Sequence, residues 1–351
     1  MNLQSTYLIS DMTQEVFHCD EEVVLESGES LPEFRISYTT QGHLTPQKDN
    51  VVWILHALTG DANVHEWWSG LVGEDKLFDP TKNFIVCANI LGSCYGSTQP
   101  MSINPKTGKP YYYDFPQLST RDMAMAFEKL RGHLGIRKID TIIGGSLGGQ
   151  VALEWAYNLQ EKVKNTVIVA SNAKTSPWTI GFNEAQRMAI EADGTWGENH
   201  EDAGKKGLEA ARAIGMLSYR HHQTFEAFQK DTEEKTDNFK ICSYLRYQGQ
   251  KLSNRFNALS YWTLSKAMDS HDLGRNRGGT AKALSEIKSR VLAIGVDTDL
   301  LFTKEESQFI AKNVPKGSYR EIKSIYGHDA FLIENEQINY ILKSFNLEDN
   351  S

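Results

Sequence analysis

The chain has 351 residues, 23% of them charged, and a formal net charge of -8, enough length for a large core without covalent staples. The acidic balance excludes general nucleic-acid binding, which needs a basic face. No apolar run is long enough to span a bilayer. The N-terminal residues Met1-Asn2-Leu3-Gln4-Ser5-Thr6 lack the basic and apolar stretches of a secretory signal.

In chain order, Val23–Tyr38, broken at Ser27-Gly28-Glu29, reads as a leading antiparallel hairpin. Val51-Val52-Trp53-Ile54-Leu55 is a continuous apolar run, the pattern of a strand covered on both faces. Phe84–Ala88, Thr141–Ile143, Thr166–Ala170 and Val291–Ile294 repeat it. A helix is predicted from Ser119, where Asp122 completes a capping-box spacing and Met123, Ala126, Phe127 and Leu130 share one face. Strands alternating with helices predict an α/β protein with a mostly parallel, doubly wound sheet. Between 174 and 285 the strand pattern stops, and helical stretches such as Phe182–Ala192, Lys206–Tyr219 and Phe256–Met268 take over. We read residues 174–285 as a helical lid over the sheet's carboxyl edge, with 1–173 and 286–351 as the core. A second independent domain is the alternative. Four scattered cysteines (Cys19, Cys87, Cys94 and Cys242) show no metal-ligand spacing, so no metal site is expected. Their sparsity fits a reducing compartment and a cytoplasmic protein.

The densest chemical signal is Gly144-Gly145-Ser146-Leu147-Gly148-Gly149, entered from the apolar Ile139–Ile143 and left through the helical Gln150–Trp155. A Gly-x-Ser-x-Gly between strand and helix is a nucleophile elbow, a sharp turn that lifts a serine hydroxyl into a cleft. A serine needs a base, and the base an orienting carboxylate. In this topology acid and histidine follow the serine in that order, each beyond a later strand. Asp297 and Asp299 both follow the strand at 291, and His328 follows the strand-like Tyr319–Ile325. The oxyanion needs two N–H donors: Leu147, after the serine, and Leu58 in the loop His56–Gly60. His56 precedes Ser146 and fits the order poorly as a base. His221 and His222, beside Arg220, read as a solvated helix end.

Several stretches together resemble one family, the homoserine O-acyltransferases of methionine biosynthesis within the α/β-hydrolase superfamily. They are His56–Asp61, Cys87–Thr98, Ser102–Pro105, Gly144–Gly149, Phe182–Arg187, Ser243–Gly249 and Tyr326–Phe331. The resemblance runs from about residue 20 to 340 and implies the α/β-hydrolase fold with a helical lid. It implies acetyl transfer from acetyl-CoA, a co-substrate with no bound cofactor, to the γ-hydroxyl of L-homoserine through an acyl-serine. Ser146 would be nucleophile and His328 base. The family pattern Gly-x-x-x-Asp-x-Leu-Phe places the acid at Asp299 and leaves Asp297 to a turn. By the same likeness Arg212 would take the homoserine carboxylate, and Asp329 its ammonium, the pairing that a zwitterion's charges call for. Tyr219, two helical turns beyond Arg212, would line the same face. A homodimer through the lid is also implied. Ser93 and Thr303 depart from the family pattern, where glycine and proline are commoner, which leaves the acyl donor less fixed than the fold. Alternatives are a succinyl donor, serine as acceptor, an esterase or thioesterase using the same triad, and a non-catalytic binding protein on this scaffold.

Overall fold

In the computed structural model, which describes residues 12–347, the apolar runs assemble into one eight-stranded sheet. Its strands are β1 (Thr13–Cys19), β2 (Phe34–Gln41), β3 (Val51–Leu55), β4 (Phe84–Ala88), β5 (Ile139–Gly145), β6 (Val163–Val169), β7 (Arg290–Val296) and β8 (Gly317–Ile322). Their spatial order is β1-β2-β4-β3-β5-β6-β7-β8. The first two pairings, β1 with β2 and β2 with β4, are antiparallel. From β4 to β8 every neighbour is parallel.

β3 shows why such a run becomes a strand. All five of its residues are buried. Val51, Trp53 and Leu55 enter one core cluster, Val52 and Ile54 the other, as the two-residue period of a covered strand requires. On the first face lie α1 (Thr120–His133) and α2 (Leu147–Leu159). The Trp53 ring meets Trp155 of α2 edge-on at 4.7 Å and Phe127 of α1 at 6.1 Å. Truncating such a ring to alanine costs about 3–5 kcal/mol. α1 starts with the expected reciprocal cap between Ser119 and Asp122. On the second face pack Trp68, Phe331 and the helix Asn335–Leu347.

The leading hairpin is smaller than its sequence pattern predicts. Only Val23-Val24 and Ser30-Leu31 pair across the turn at Gly28. Phe34–Gln41 turns away to pair with Thr13–Cys19, which carried no strand signal because most of its side chains are exposed.

Between β6 and β7 the described chain is helical: α3 (Pro177–Glu191), α4 (Lys205–Tyr219), α5 (Lys240–Ser253) and α6 (Ala258–Asp269), with shorter turns between them. The α3–α4 and α4–α5 crossings are close because glycines sit in them. A Cβ at Gly207 would stand 2.6 Å from the Ala189 carbonyl, and one at Gly249 2.6 Å from that of Glu209. α3 is tied to α6 by Arg187, whose buried guanidinium lies 2.6 Å from Asp269. Among the described residues no helix is long and apolar enough to cross a membrane.

The chain leaves β3 toward β4 on one side and returns to β5 on the other. Ligands bind outside the strand carboxyl ends at such a reversal. The ends of β3, β5, β7 and β8 lead directly into His56–Gly60, Ser146, Asp299 and His328.

Candidate active site

Ser146 stands between β5 and α2 with φ +56° and ψ −126°, a left-handed conformation that a non-glycine residue keeps only when its surroundings impose it. Here they do. Its N–H donates to Val169 O at 3.0 Å, and its carbonyl accepts from Gly149 N at 2.9 Å and from Ser171 Oγ at 2.7 Å. The flanking glycines allow strand and helix to touch. A Cβ on Gly144 would lie 2.3 Å from Gly148 O, and one on Gly148 2.2 Å from Leu55 O. Both obstacles are backbone and cannot swing aside.

From this elbow a hydrogen-bonded chain runs inward. Ser146 Oγ is 3.0 Å from His328 Nε2, and His328 Nδ1 is 2.7 Å from Asp299 Oδ2. Asp299 Oδ1 accepts from the N–H groups of Leu301 and Phe302 at 2.8 and 2.9 Å. That leaves Oδ2 facing the ring, so the satisfied tautomer carries its proton on Nδ1 and a lone pair on Nε2 toward the serine. All three side chains are buried. Burial by itself would disfavour a charged His328. The Asp299 carboxylate outweighs it, through its field and its hydrogen bond, with a further contribution from Asp329, and holds the imidazole above its ordinary 6.5. Phe302, Phe331 and Tyr219 ring the imidazole at 5.2, 5.3 and 5.9 Å. Asp297 is elsewhere: its Oδ1 accepts from Ser324 N at 3.0 Å and ties the end of β7 to the end of β8.

Leu58 and Leu147 both border Ser146. Among the described residues neither N–H donates to a protein acceptor, which leaves both available to an oxyanion. The Leu58 loop is fixed from below by His56. Its ring is fully buried, with Nδ1 donating to Ala57 O at 2.8 Å and Nε2 accepting from Ile90 N at 3.0 Å. Burial pushes this imidazole down to about 4, so it is neutral and serves as a tether. From above, Arg255 Nη1 donates to Thr59 O at 2.7 Å. No spacing in the sequence pointed to either brace.

The cleft over Ser146 is small, about 70 Å³, and is lined by the Leu58 loop, Arg212, Tyr219, Leu301, His328 and Asp329 among others. Arg212 is half-buried and faces the Tyr219 ring at 5.3 Å. Among the described residues it has no carboxylate partner. The Tyr219 hydroxyl is pushed up by burial, partly offset by Arg212. Asp329 is already paired: Arg220 Nε stands 2.7 Å from its Oδ2. No sequence signal singled out Arg220 for this ion pair. Among the described residues no group of three or more His, Cys, Asp or Glu side chains could hold a metal ion.

An eight-stranded sheet in this order, with a serine at the strand–helix elbow and a histidine–aspartate pair beyond later strands, defines the α/β-hydrolase class. The family described as alpha/beta hydrolase fold matches residues 50–334. Within that class the chain belongs to the homoserine O-acetyltransferase family. It is 72% identical over 350 residues to the homoserine O-acetyltransferase of Cyclobacterium marinum, covering 100% of both chains. It is 44% identical over 326 residues to that of Chloroherpeton thalassium, covering 92% of this chain and 86% of the relative. The crystal structure of homoserine O-acetyltransferase from Bacillus anthracis superposes with a TM-score of 0.85 at 25% identity, over 94% of this chain and 97% of that one. Esterase E22 superposes at 0.87 with 22% identity over 95% and 100%, a likeness of fold.

Proposed function

We propose that this chain transfers the acetyl group of acetyl-CoA to the γ-hydroxyl of L-homoserine in two half-reactions through an acetyl-Ser146 intermediate. The reading is carried by one juxtaposition. A buried Ser146–His328–Asp299 chain opens into a small cleft lined by Arg212, which has no carboxylate partner among the described residues, and by Asp329. His328 Nε2 takes the Ser146 proton as Oγ attacks the thioester carbonyl. The Leu58 and Leu147 N–H groups meet the oxyanion, each worth about 3–4 kcal/mol to the transition state. The thiol of CoA leaves with the proton. Homoserine then enters with its carboxylate on Arg212 and its ammonium on Asp329, and His328 accepts the γ-hydroxyl proton as that oxygen attacks the acetyl carbonyl. The bond between the acetyl carbon and Ser146 Oγ then breaks, and His328 returns the proton to the serine oxygen as O-acetylhomoserine leaves. Tyr219 and Leu301 wall the space.

A succinyl donor would bring a second carboxylate. Among the described lining residues Arg212 is the one permanent cation, and the amino acid claims it. Acetyl is therefore favoured. The test sets acetyl-CoA against succinyl-CoA, each with homoserine and with serine, and follows CoA release with a thiol reagent. Release that depends on acetyl-CoA and homoserine together, and is lost in Ser146→Ala, supports the reading. Rapid release in water indifferent to homoserine makes the protein a thioesterase instead.

The helical segment 174–285 serves as the lid that supplies Arg212 and Tyr219. It also leaves Met188, Leu217, Phe228 and Tyr247 exposed, which supports a homodimer through this face. Sedimentation showing monomer alone at micromolar concentration would count against it. All four cysteines are unpaired, in keeping with work in the reducing cytoplasm.

A further inference from the structure

Asp329 meets a full cation before any substrate is present. Arg220 Nε lies 2.7 Å from its Oδ2, and the two side chains are only 21% and 14% exposed. The guanidinium also faces the Tyr326 ring at 5.7 Å. The backbone is built around this contact. A Cβ on Gly327 would stand 2.7 Å from His221 N and 3.1 Å from the Arg220 carbonyl carbon. Thr224 Oγ1 donates to the Ile325 carbonyl, and Phe228 stacks on Tyr326 at 6.2 Å. The end of α4 and the loop carrying His328 and Asp329 thus form one packed unit.

In a two-step transfer the amino-acid pocket is empty while Ser146 is being acetylated. Asp329 is the residue next to His328, and an unmatched carboxylate there would hold a proton on the very imidazole that must accept one. We propose that Arg220 is the resident counter-ion of Asp329: it positions that carboxylate and offsets its charge while the ammonium of the acceptor is absent, limiting the pull that Asp329 exerts on the His328 proton. This rests on the acyl-serine reading above. Arg220 touches neither Ser146 nor His328 and acts through Asp329, as a positioning residue. The other groups facing Asp329 and His328 are Asp299, Arg212, Tyr219 and Tyr244. Burial keeps both phenols protonated near neutrality, and Arg212 is reserved for the acceptor carboxylate. His221, beside Arg220, is held below the usual histidine range by burial and by His222, against the pull of Asp297, and cannot substitute.

The test uses the full chain and p-nitrophenyl acetate without homoserine, following p-nitrophenolate release from about pH 5 to 9. Arg220→Gln moves the acid limb to higher pH and slows acylation on that side roughly threefold. Arg220→Lys stays near the parent. Asp329→Asn, which leaves Arg220 unmatched, moves the limb the other way. The double variant Arg220→Gln/Asp329→Asn returns toward the parent, because both charges are gone, a result that loss of packing cannot imitate. If Arg220→Gln does not fold, the Asp329→Asn shift and its reversal in the double variant still decide. Limbs that stay put in all variants, with the parent releasing p-nitrophenolate and carrying the acetyl adduct on Ser146, overturn the counter-ion role alone. A parent that forms no adduct on Ser146 overturns the acyl-serine reading and this inference with it.

Discussion

Asp299→Asn separates the geometry of this site from its chemistry. The asparagine oxygen can still accept from Leu301 and Phe302, which hold Oδ1 at 2.8 and 2.9 Å, so the side chain keeps its place. Its amide NH2 then occupies the position of Oδ2, 2.7 Å from His328 Nδ1. Two donors cannot face each other, so the imidazole proton shifts to Nε2, directly toward Ser146 Oγ 3.0 Å away. A base that presents a proton to the group it must deprotonate is inactive. In the serine proteases the equivalent loss of tautomer control lowers kcat about 10⁴-fold, or roughly 5.5 kcal/mol of barrier, and a similar fall is expected here for CoA release with homoserine.

The pH profile gives a second, independent readout. His328 stands above 6.5 because the Asp299 field and hydrogen bond outweigh the opposing effect of burial. With a neutral amide in place, burial is left to act and the imidazole falls. Whatever activity remains must therefore reach its plateau at lower pH than in the parent. The measurement is acylation by p-nitrophenyl acetate across pH, alongside steady-state CoA release. A variant within tenfold of the parent, or one whose acid limb has not moved down, would refute this account of the histidine.

Gly148→Ala should destabilise the fold and lower activity together, since its Cβ would sit 2.2 Å from Leu55 O and 2.8 Å from His56 O. Overpacking of that kind costs about 1–3 kcal/mol, and urea unfolding with the parent midpoint would contradict it. Arg212→Lys removes the planar fork and should raise the homoserine KM roughly tenfold or more, with a smaller effect on the acetyl-CoA KM; steady-state kinetics in both substrates check this. His56 and His271 are buried and pushed down by that burial to about 4 and about 3. The unfolded chain therefore takes up their protons first as pH drops below 6.5, and stability is lost from there toward pH 4. For His56 that loss amounts to about 3 kcal/mol at the bottom of the window. His328, raised, contributes fully below 6.5 and loses its share as pH rises, so it does not mask the trend. A thermal midpoint flat between pH 6.5 and 5 would show both assignments to be wrong.

The fold was legible because it depends on signals that survive in one dimension. A strand covered on both faces tends to a near-continuous apolar run, so Val51–Leu55 and Val291–Ile294 stood out. The cap at Ser119 needs two side chains three residues apart, and they were there. β1 was invisible for the converse reason: at a sheet edge most of its side chains face water, and only pairing with Phe34–Gln41 makes it a strand. The same pairing broke the hairpin predicted at Val23–Tyr38.

The site divides along the same line. Chain order and strand ends nominate Ser146, His328 and either Asp297 or Asp299, because this topology delivers successive loops to one edge of the sheet; the family likeness was needed to choose Asp299. What holds those loops depends on contacts between residues far apart in sequence. His56 reaches Ile90 across 34 positions and Arg255 reaches Thr59 across 196. Arg220 meets Asp329 only because Gly327 lets two backbones touch. Apart from the core tether at His56, the side chains closing over the site share a direction: Arg212, Tyr219, Arg220 and Arg255 all come from the helical insertion, while Ser146, Asp299, His328 and Leu58 all come from the core. An acyl-serine needs only the core set. On the reading proposed above, recognition of a zwitterion, and the electrical balance around His328 while that zwitterion is absent, would both depend on the insertion. The fold alone separates an esterase from a transferase poorly, since esterase E22 superposes over 95% of this chain with a TM-score of 0.87; on the proposed reading it is side chains of the insertion, Arg212 first among them, that would decide the acceptor.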